Sequence, residues 1–143
     1  MKKVSIIYWS GSGNTEMMAK ALAEGATEAG AEVKLLNVSD ASLDDVVQAD
    51  AVALGCPSMG AEVLEESEME PFVDSLSGAN IQEKPLALFG SYDWGDGEWM
   101  RDWAVRMKEY GANLVAEGLI AQLTPGDEEL QACKDLARTL VNA

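Results

Sequence analysis

Short apolar runs alternate with longer segments of helical periodicity along the whole chain. The apolar runs predict five buried strands, over residues 4–9, 32–38, 51–56, 86–90 and 113–121. The other segments predict helices over residues 14–29, 42–48, 70–76, 98–110 and from 127 almost to the C-terminus. Because strands that alternate with helices pair in parallel, the pattern predicts an α/β fold. Its five-stranded parallel sheet has helices on both faces, since the strands are apolar throughout.

Composition and charge narrow the possible partners. The 143 residues include 25 Asp and Glu against 10 Lys and Arg, so the formal net charge is −15. This excess argues against nucleic acid, because phosphate binding needs clustered cations. No apolar run approaches the ~20 residues of a membrane span, and no signal peptide precedes the first strand. Without a linker or repeat, residues 1–143 are predicted to form a single domain of a cytoplasmic protein.

The chain lacks several kinds of catalytic side chain. It contains no histidine, which excludes Ser-His-Asp and Cys-His nucleophile systems and imidazole-bound metals. Its two cysteines, Cys56 and Cys133, do not have the spacing of a metal or redox pair. We therefore predict no catalytic residue and no metal ligand. Any chemistry must then come from a bound group that is not part of the polypeptide.

The loop after the first strand has the features of a phosphate site. In parallel sheets, ligands bind beyond the carboxyl ends of the strands, so the loops after strands 1, 3 and 4 are the candidates. The first loop consists of Ser10, Gly11, Ser12, Gly13, Asn14 and Thr15. Its glycines allow close backbone approach, and the following helix N-terminus supplies N–H groups. It lacks the lysine of a nucleotide-hydrolysing loop and the GxGxxG spacing, and an ordinary capped turn is the alternative interpretation.

The loop after the third strand contains a methionine among polar residues. It consists of Pro57, Ser58, Met59, Gly60, Ala61 and Glu62. The polarizable Met59 side chain could lie against a flat ring, and Gly60 would let the adjoining peptide adopt two orientations. Taken alone, Met59 could instead pack into the edge of the core.

The loop after the fourth strand places aromatic residues between glycines. It contains Ser91, Tyr92, Asp93, Trp94 and Gly95. Tyr92 and Trp94 offer planar stacking surfaces, whereas packing against helices is the interpretation we favour for Trp9, Trp99 and Trp103. Together, the three loops describe a site for a planar aromatic cofactor with a single phosphate.

These motifs resemble those of the flavodoxins, in the short-chain form found in anaerobic bacteria. The resemblance covers essentially the whole chain and lies in residues 8–15, 54–60, 62–68, 89–92 and 94–95. It implies a flavodoxin-like three-layer sandwich with the strand order 2-1-3-4-5. It also implies FMN as a tightly but non-covalently bound cofactor.

The resemblance implies roles for individual residues toward FMN. Residues 10–15 would surround the phosphate, while Met59 and Trp94 would cover the two faces of the flavin, with Tyr92 nearby. The Gly60–Ala61 peptide would rotate on reduction to accept a hydrogen bond from flavin N5–H.

Glu62 would accept a hydrogen bond from flavin N3–H. The chain departs from the family pattern at Ala61, which is often polar, and at Asp93, which is commonly glycine. Ser12 in place of threonine keeps the hydroxyl group.

The implied function is a low-potential one-electron carrier, a monomer that works in place of or alongside ferredoxin. Glu62, Glu65, Glu66, Glu68 and Glu70 lie close together in the sequence and are predicted to steer basic redox partner proteins. A solvated surface that serves only solubility is the alternative interpretation of this acidic run.

Two other functions occur on related α/β architectures and compete with the carrier. A phospho-receiver needs an acidic pocket at the ends of strands 1 and 3, where this chain has Ser10-Gly11 and Cys56-Pro57. An FMN-dependent NAD(P)H or quinone reductase stays as the alternative, although such an enzyme needs open space above the flavin.

Overall fold

The computed structural model describes residues 1–143, which form six strands and five α-helices. The strands are β1 Lys3–Tyr8, β2 Glu32–Asn37, β3 Ala51–Gly55, β4 Pro85–Tyr92, β5 Asn113–Leu114 and β6 Leu119–Gln122. The helices are α1 Asn14–Glu28, α2 Leu43–Val47, α3 Met69–Ser75, α4 Glu98–Glu109 and α5 Asp127–Val141. No helix combines the length and the hydrophobicity that a membrane-spanning helix needs.

All strand pairs in the sheet are parallel, in the order β2-β1-β3-β4-β5. The predicted fold class and strand order are therefore confirmed. The order reverses between β1 and β3, and this reversal opens a crevice beyond the carboxyl ends of the strands. The loops after β1, β3 and β4 all lie at that edge.

The fifth strand position differs from the prediction of one continuous strand over 113–121. Two short strands, β5 and β6, pair in turn with β4, with Leu86 opposite Leu114 and Phe89 opposite Leu119. Between these pairs β4 advances by three residues and its neighbour by five, so two extra residues leave the ladder. Gly118 lies in this interruption, and a Cβ there would meet the Met100 side chain at 2.3 Å. Because residues 113–121 are largely apolar, their hydrophobic pattern does not distinguish two short strands from one continuous strand.

Successive residues of each strand contribute in turn to two separate hydrophobic cores, one on each face of the sheet. On one face, Val4, Ile6 and Phe89 pack with α1 and α5. On the other face, Ile7 and Leu54 pack with α2, α3 and α4. This division produces the predicted three layers, because successive side chains of a strand point to opposite faces.

Candidate cofactor-binding site

A cavity of about 350 Å³ lies at the carboxyl edge of the sheet, among the loops after β1, β3 and β4. Its lining consists of Trp9, Gly11, Ser12, Asn14, Pro57, Ser58, Met59, Ser91, Tyr92, Asp93 and Leu123. Nine of these residues belong to the predicted set, and they come from all three predicted loops. The other predicted residues, which do not line the cavity, are Ser10, Gly13, Thr15, Gly60, Ala61, Glu62, Trp94 and Gly95.

Ser10 organises the loop between β1 and α1. Its hydroxyl oxygen accepts hydrogen bonds from the backbone N–H groups of Gly13 at 3.1 Å and Glu16 at 3.2 Å. Gly13 caps the helix with a φ of 96°, a left-handed conformation that glycine adopts without a steric penalty. Ser10 therefore stabilises the loop conformation through these two hydrogen bonds and does not line the cavity.

The same loop leaves several backbone donors free. The N–H groups of Gly11 and Ser12, just before the N-cap residue of α1, and of Thr15, in its first turn, donate to no protein atom. The side chains of Ser12 and Asn14 line the cavity beside them. Free N–H groups that converge at a helix N-terminus form a concavity suited to an anion, and the helix dipole adds to the attraction.

A buried pair of hydroxyl groups joins the first loop to the third. Thr15 Oγ1 lies 2.8 Å from Ser91 Oγ and also accepts a hydrogen bond from the Ser91 N–H at 3.3 Å. Both residues are buried, and the pair uses only one of its two hydroxyl protons. The second proton has no acceptor in the protein, and Ser91 lines the cavity. The pair can therefore donate one hydrogen bond to a bound ligand.

The loop after β3 closes on itself through a short antiparallel bridge. The Met59 and Val63 backbones exchange hydrogen bonds of 2.9 and 3.0 Å. At its tip, Gly60 is exposed with a φ of 48°, and no atom lies within 4 Å of the position that a Cβ would take. The tip therefore has free space around it, as a peptide that changes orientation requires.

Glu62 is buried and holds the start of α4. Its Oε1 atom accepts hydrogen bonds from the N–H groups of Gly97 at 3.2 Å and Glu98 at 3.1 Å. Its Oε2 atom accepts none from the protein. A Cβ at Gly95 would lie 2.5 Å from the Glu62 carboxyl carbon, so glycine at position 95 leaves room for this carboxylate.

The aromatic residues divide between site and core. Trp99 and Trp103 are each 1% exposed, which confirms that they pack inward. Trp99 also donates a 3.0 Å hydrogen bond from Nε1 to the Cys56 carbonyl oxygen at the end of β3. Trp94 is 60% exposed in the third loop, unlike the core tryptophans.

Trp9 packs against the core that α2, α3 and α4 cover, as expected, and it also takes part in the site. Trp9 is half-buried and lines the cavity. Its ring would lie 3.0 Å from a Cβ at Gly11, so it also supports the first loop. Its position directly after β1, at the edge where ligands bind, was the signal that could have identified it.

The structure leaves only part of the acidic run free to steer a partner. Glu62 is engaged with α4, and Glu70 forms a two-pronged ion pair with Arg106, with distances of 2.8 and 2.6 Å. Glu65 is 7% exposed and accepts hydrogen bonds from three N–H groups at the start of α3. Only Glu66 and Glu68 are exposed, so no more than these two of the five remain free to meet a partner.

The hydrogen bonds of Glu65 also set its protonation. Burial raises the pKa of the Glu65 carboxyl group, but the N–H donors of Met69, Glu68 and Ser67 outweigh burial and hold the pKa below its usual range. Glu65 is therefore ionised at neutral pH and acts as a fixed anchor for α3.

The two cysteines have no reactive character. Burial raises the pKa of Cys56 and of Cys133 to about 12 in each case, so both are neutral thiols at pH 7. No group of three or more His, Cys, Asp or Glu residues is arranged to hold a metal ion.

Leu123 is a second lining residue that the sequence did not reveal. It follows β6, which pairs with β4 beside the third loop. A leucine after a strand carries no sequence signal of ligand contact, and the candidate loops were confined to strands 1, 3 and 4.

Comparison with known proteins agrees with this architecture. The Flavodoxin family profile matches residues 6–135. The chain is 49% identical to a flavodoxin of Clostridium beijerinckii over 139 residues, covering 97% of this chain and 99% of that protein. It is 40% identical to a flavodoxin of Megasphaera elsdenii over 140 residues, covering 98% and 99%. The solution structure of the two-electron reduced Megasphaera elsdenii flavodoxin superposes with a TM-score of 0.86 at 41% identity, over 98% of this chain and 99% of that one. The chain therefore belongs to the flavodoxin family and is a small FMN-binding electron carrier rather than an enzyme.

Proposed function

We propose that FMN binds in the cavity at the carboxyl edge of the sheet, with its phosphate against the loop between β1 and α1. The observation that carries this proposal is the set of free N–H groups on Gly11, Ser12 and Thr15, beside a cavity that all three loops line. Such donors suit a phosphate group. When bound, FMN supplies the one-electron chemistry, and the protein supplies binding and electrostatics.

The phosphate would be held by neutral donors alone. No Lys or Arg lies within residues 9–16, 57–68 or 91–97. Among the cations of α4, Arg101 pairs with Asp96, and Arg106 pairs with Glu70. Ser12, Asn14 and the Thr15–Ser91 pair would add side-chain donors to the backbone N–H groups.

The residues of the second and third loops would meet the flavin ring. Met59 and Tyr92 line the cavity. Trp94, now 60% exposed, would lose water contact by covering one face of the ring. The free tip at Gly60–Ala61 would supply the carbonyl that accepts from N5–H.

Glu62 would contribute through its second oxygen. Oε1 is already occupied by Gly97 and Glu98, whereas Oε2 is available to accept from flavin N3–H. The two hydrogen bonds to Oε1 would hold the carboxylate in place, so that Oε2 could face the edge of the flavin ring.

The negative charge around the cavity would lower the reduction potential of bound FMN, so the protein would be a low-potential carrier. The second electron adds negative charge, which the exposed Asp93 in the lining and the lack of nearby cations disfavour. Glu66, Glu68 and Asp93 would then present an acidic surface to basic redox partners that otherwise use ferredoxin. The carrier would act as a monomer in the cytoplasm, which size-exclusion chromatography and cell fractionation test.

Binding of FMN and riboflavin to the apoprotein tests the phosphate assignment. Asn14→Ala should weaken FMN binding by roughly tenfold or more, because a hydrogen bond to a charged group is lost. It should leave riboflavin binding unchanged, since riboflavin has no phosphate. Asn142→Ala, at the far end of α5, is the matched control. Equal losses for both flavins would contradict the assignment.

An assay of NAD(P)H oxidation separates the carrier from a reductase in solution. The FMN-loaded protein should oxidise essentially no NADPH or NADH unless a separate reductase is added. Turnover by the protein alone would contradict the proposed covering of both ring faces by Met59 and Trp94.

A further inference from the structure

Leu123, directly after β6, holds a backbone conformation that its side chain disfavours. Its φ of 58° lies in the left-handed region. Leucine lacks the polar side chain that lets asparagine or aspartate form local hydrogen bonds there. The surroundings must therefore fix this conformation.

The residues that fix it belong to the third loop of the site. The Leu123 N–H donates a 2.8 Å hydrogen bond to the Tyr92 carbonyl oxygen. The neighbouring Gln122 pairs with Tyr92 in the sheet and donates a 3.2 Å bond from Nε2 to the Asp93 carbonyl oxygen. The strained turn is thus joined to the loop that would meet the flavin.

The side chain of Leu123 faces the same site. It lines the cavity together with Trp9, Met59 and Tyr92, yet the residue is 53% exposed. A large apolar side chain in this position is only half covered by protein, and a ligand in the cavity would cover more of it.

We propose that Leu123 is a contact residue for FMN, and that it lowers the stability of the apoprotein while raising its affinity for the cofactor. The proposal rests on the FMN site proposed above. The loop after β6 would be a fourth cofactor-contacting segment, beside the three that the sequence indicates. Because the contact is apolar, it would be made to a part of the cofactor that FMN and riboflavin share.

Two variants separate the strain from the contact. Leu123→Asn removes the apolar side chain and tolerates the left-handed conformation. We expect a roughly two- to fivefold rise in the folding equilibrium constant of the apoprotein, measured by urea denaturation. Leu123→Ala keeps the Cβ and has no polar side chain to form local hydrogen bonds in the left-handed conformation, so apoprotein stability should not rise. Both variants should weaken FMN and riboflavin binding by a similar factor, roughly fivefold.

Glu83 offers a matched control. It has a φ of 59°, is exposed, and precedes β4 at the opposite edge of the sheet. Glu83→Asn should stabilise the apoprotein in the same way without changing the affinity for either flavin.

The outcomes distinguish this inference from the proposed function. Wild-type affinity in Leu123→Ala would overturn the contact, and an unchanged stability of Leu123→Asn beside a stabilised Glu83→Asn would overturn the trade-off. If the wild-type protein takes up no FMN, the proposed function itself fails. In that case the urea measurements on the apoprotein still report the strain separately.

Discussion

Two parts of the same acidic segment serve different purposes. Glu62 and Glu65 are buried, and each carboxylate accepts backbone N–H groups at the start of a helix. Glu66 and Glu68 are exposed and have no cationic partner within the protein. Equal charges that are neighbours in sequence therefore divide into structural anchors and free surface charges.

This difference shows why counting charges in a sequence overstates an interaction surface. A carboxylate that accepts two or three N–H groups has its negative charge offset by their dipoles and is fixed in place. An exposed carboxylate contributes to the long-range field that a partner meets. Substitutions in the two groups should accordingly change different measured quantities.

The largest effect should come from disturbing the position of Glu62. Gly95→Ala places a Cβ 2.5 Å from the Glu62 carboxyl carbon, at a φ of 92°. We expect a loss of about 2–4 kcal/mol in the free energy of unfolding, from backbone strain together with overpacking. FMN binding should weaken as well. Urea denaturation and flavin fluorescence titration measure the two effects.

Gly30→Ala is the control for Gly95→Ala. Gly30 also has a φ of 92°, but a Cβ there would meet no atom within 4 Å. This variant should lose only the backbone part, about 1 kcal/mol, and should bind FMN normally. Equal losses in the two variants would show that Gly95 does not make room for Glu62.

The next largest effect should come from Glu65→Gln. The variant removes a charged acceptor of three N–H groups, so the free energy of unfolding should fall by about 1–3 kcal/mol at pH 7. The pKa of Glu65 is lowered in the folded state. The stabilisation is therefore present above the pKa of the unfolded chain and is lost as pH falls through the folded pKa. The difference between wild type and variant should shrink in acid.

Glu66→Gln provides the comparison for that measurement. Because Glu66 is exposed and unpaired, its substitution should change stability by less than about 0.5 kcal/mol at any pH. A loss as large as that of Glu65→Gln would contradict the division of the segment into two groups.

The smallest effect should appear in the rate of electron transfer. A Glu66→Gln, Glu68→Gln double variant should transfer electrons to cytochrome c, a basic redox protein, about two- to tenfold more slowly at low salt. The wild-type rate should fall as salt rises, because screening weakens the same attraction. Stopped-flow absorbance measures both rates.

A double variant with the same change in charge controls for net charge. Glu83→Gln with Glu109→Gln removes two exposed carboxylates near the opposite edge of the sheet. It should leave the rate close to wild type. Equal slowing in both double variants would mean that net charge, rather than the local charge of Glu66 and Glu68, controls the encounter.

The sequence pattern predicted the layers well, because buried parallel strands and amphipathic helices have clear periodicities, whereas the strand order followed from the resemblance to the flavodoxins. It did not predict the interruption at Gly118, where the backbone lies directly against the Met100 side chain of α4. Local hydrophobicity contains no information about that contact.

The three loops were also predictable, because their glycines and polar residues follow strand ends directly. The sequence could not separate residues that line the cavity from those that support them, such as Ser10 and Thr15. That distinction depends on hydrogen bonds to Glu16 and Ser91, which only the folded chain brings within reach. For the same reason, the sequence could not show that Glu62 and Glu65 are buried and accept hydrogen bonds from helix N-termini.

Spectroelectrochemical titration of the FMN-reconstituted protein tests whether it is a one-electron carrier. We expect the apoprotein to take up one FMN and its reduction to proceed in two separated one-electron steps. The second step should lie well below the potential of free FMN, since negative charge is disfavoured in this cavity. A protein that takes up no FMN, or whose bound FMN is reduced in a single two-electron step at the potential of free FMN, would contradict the account.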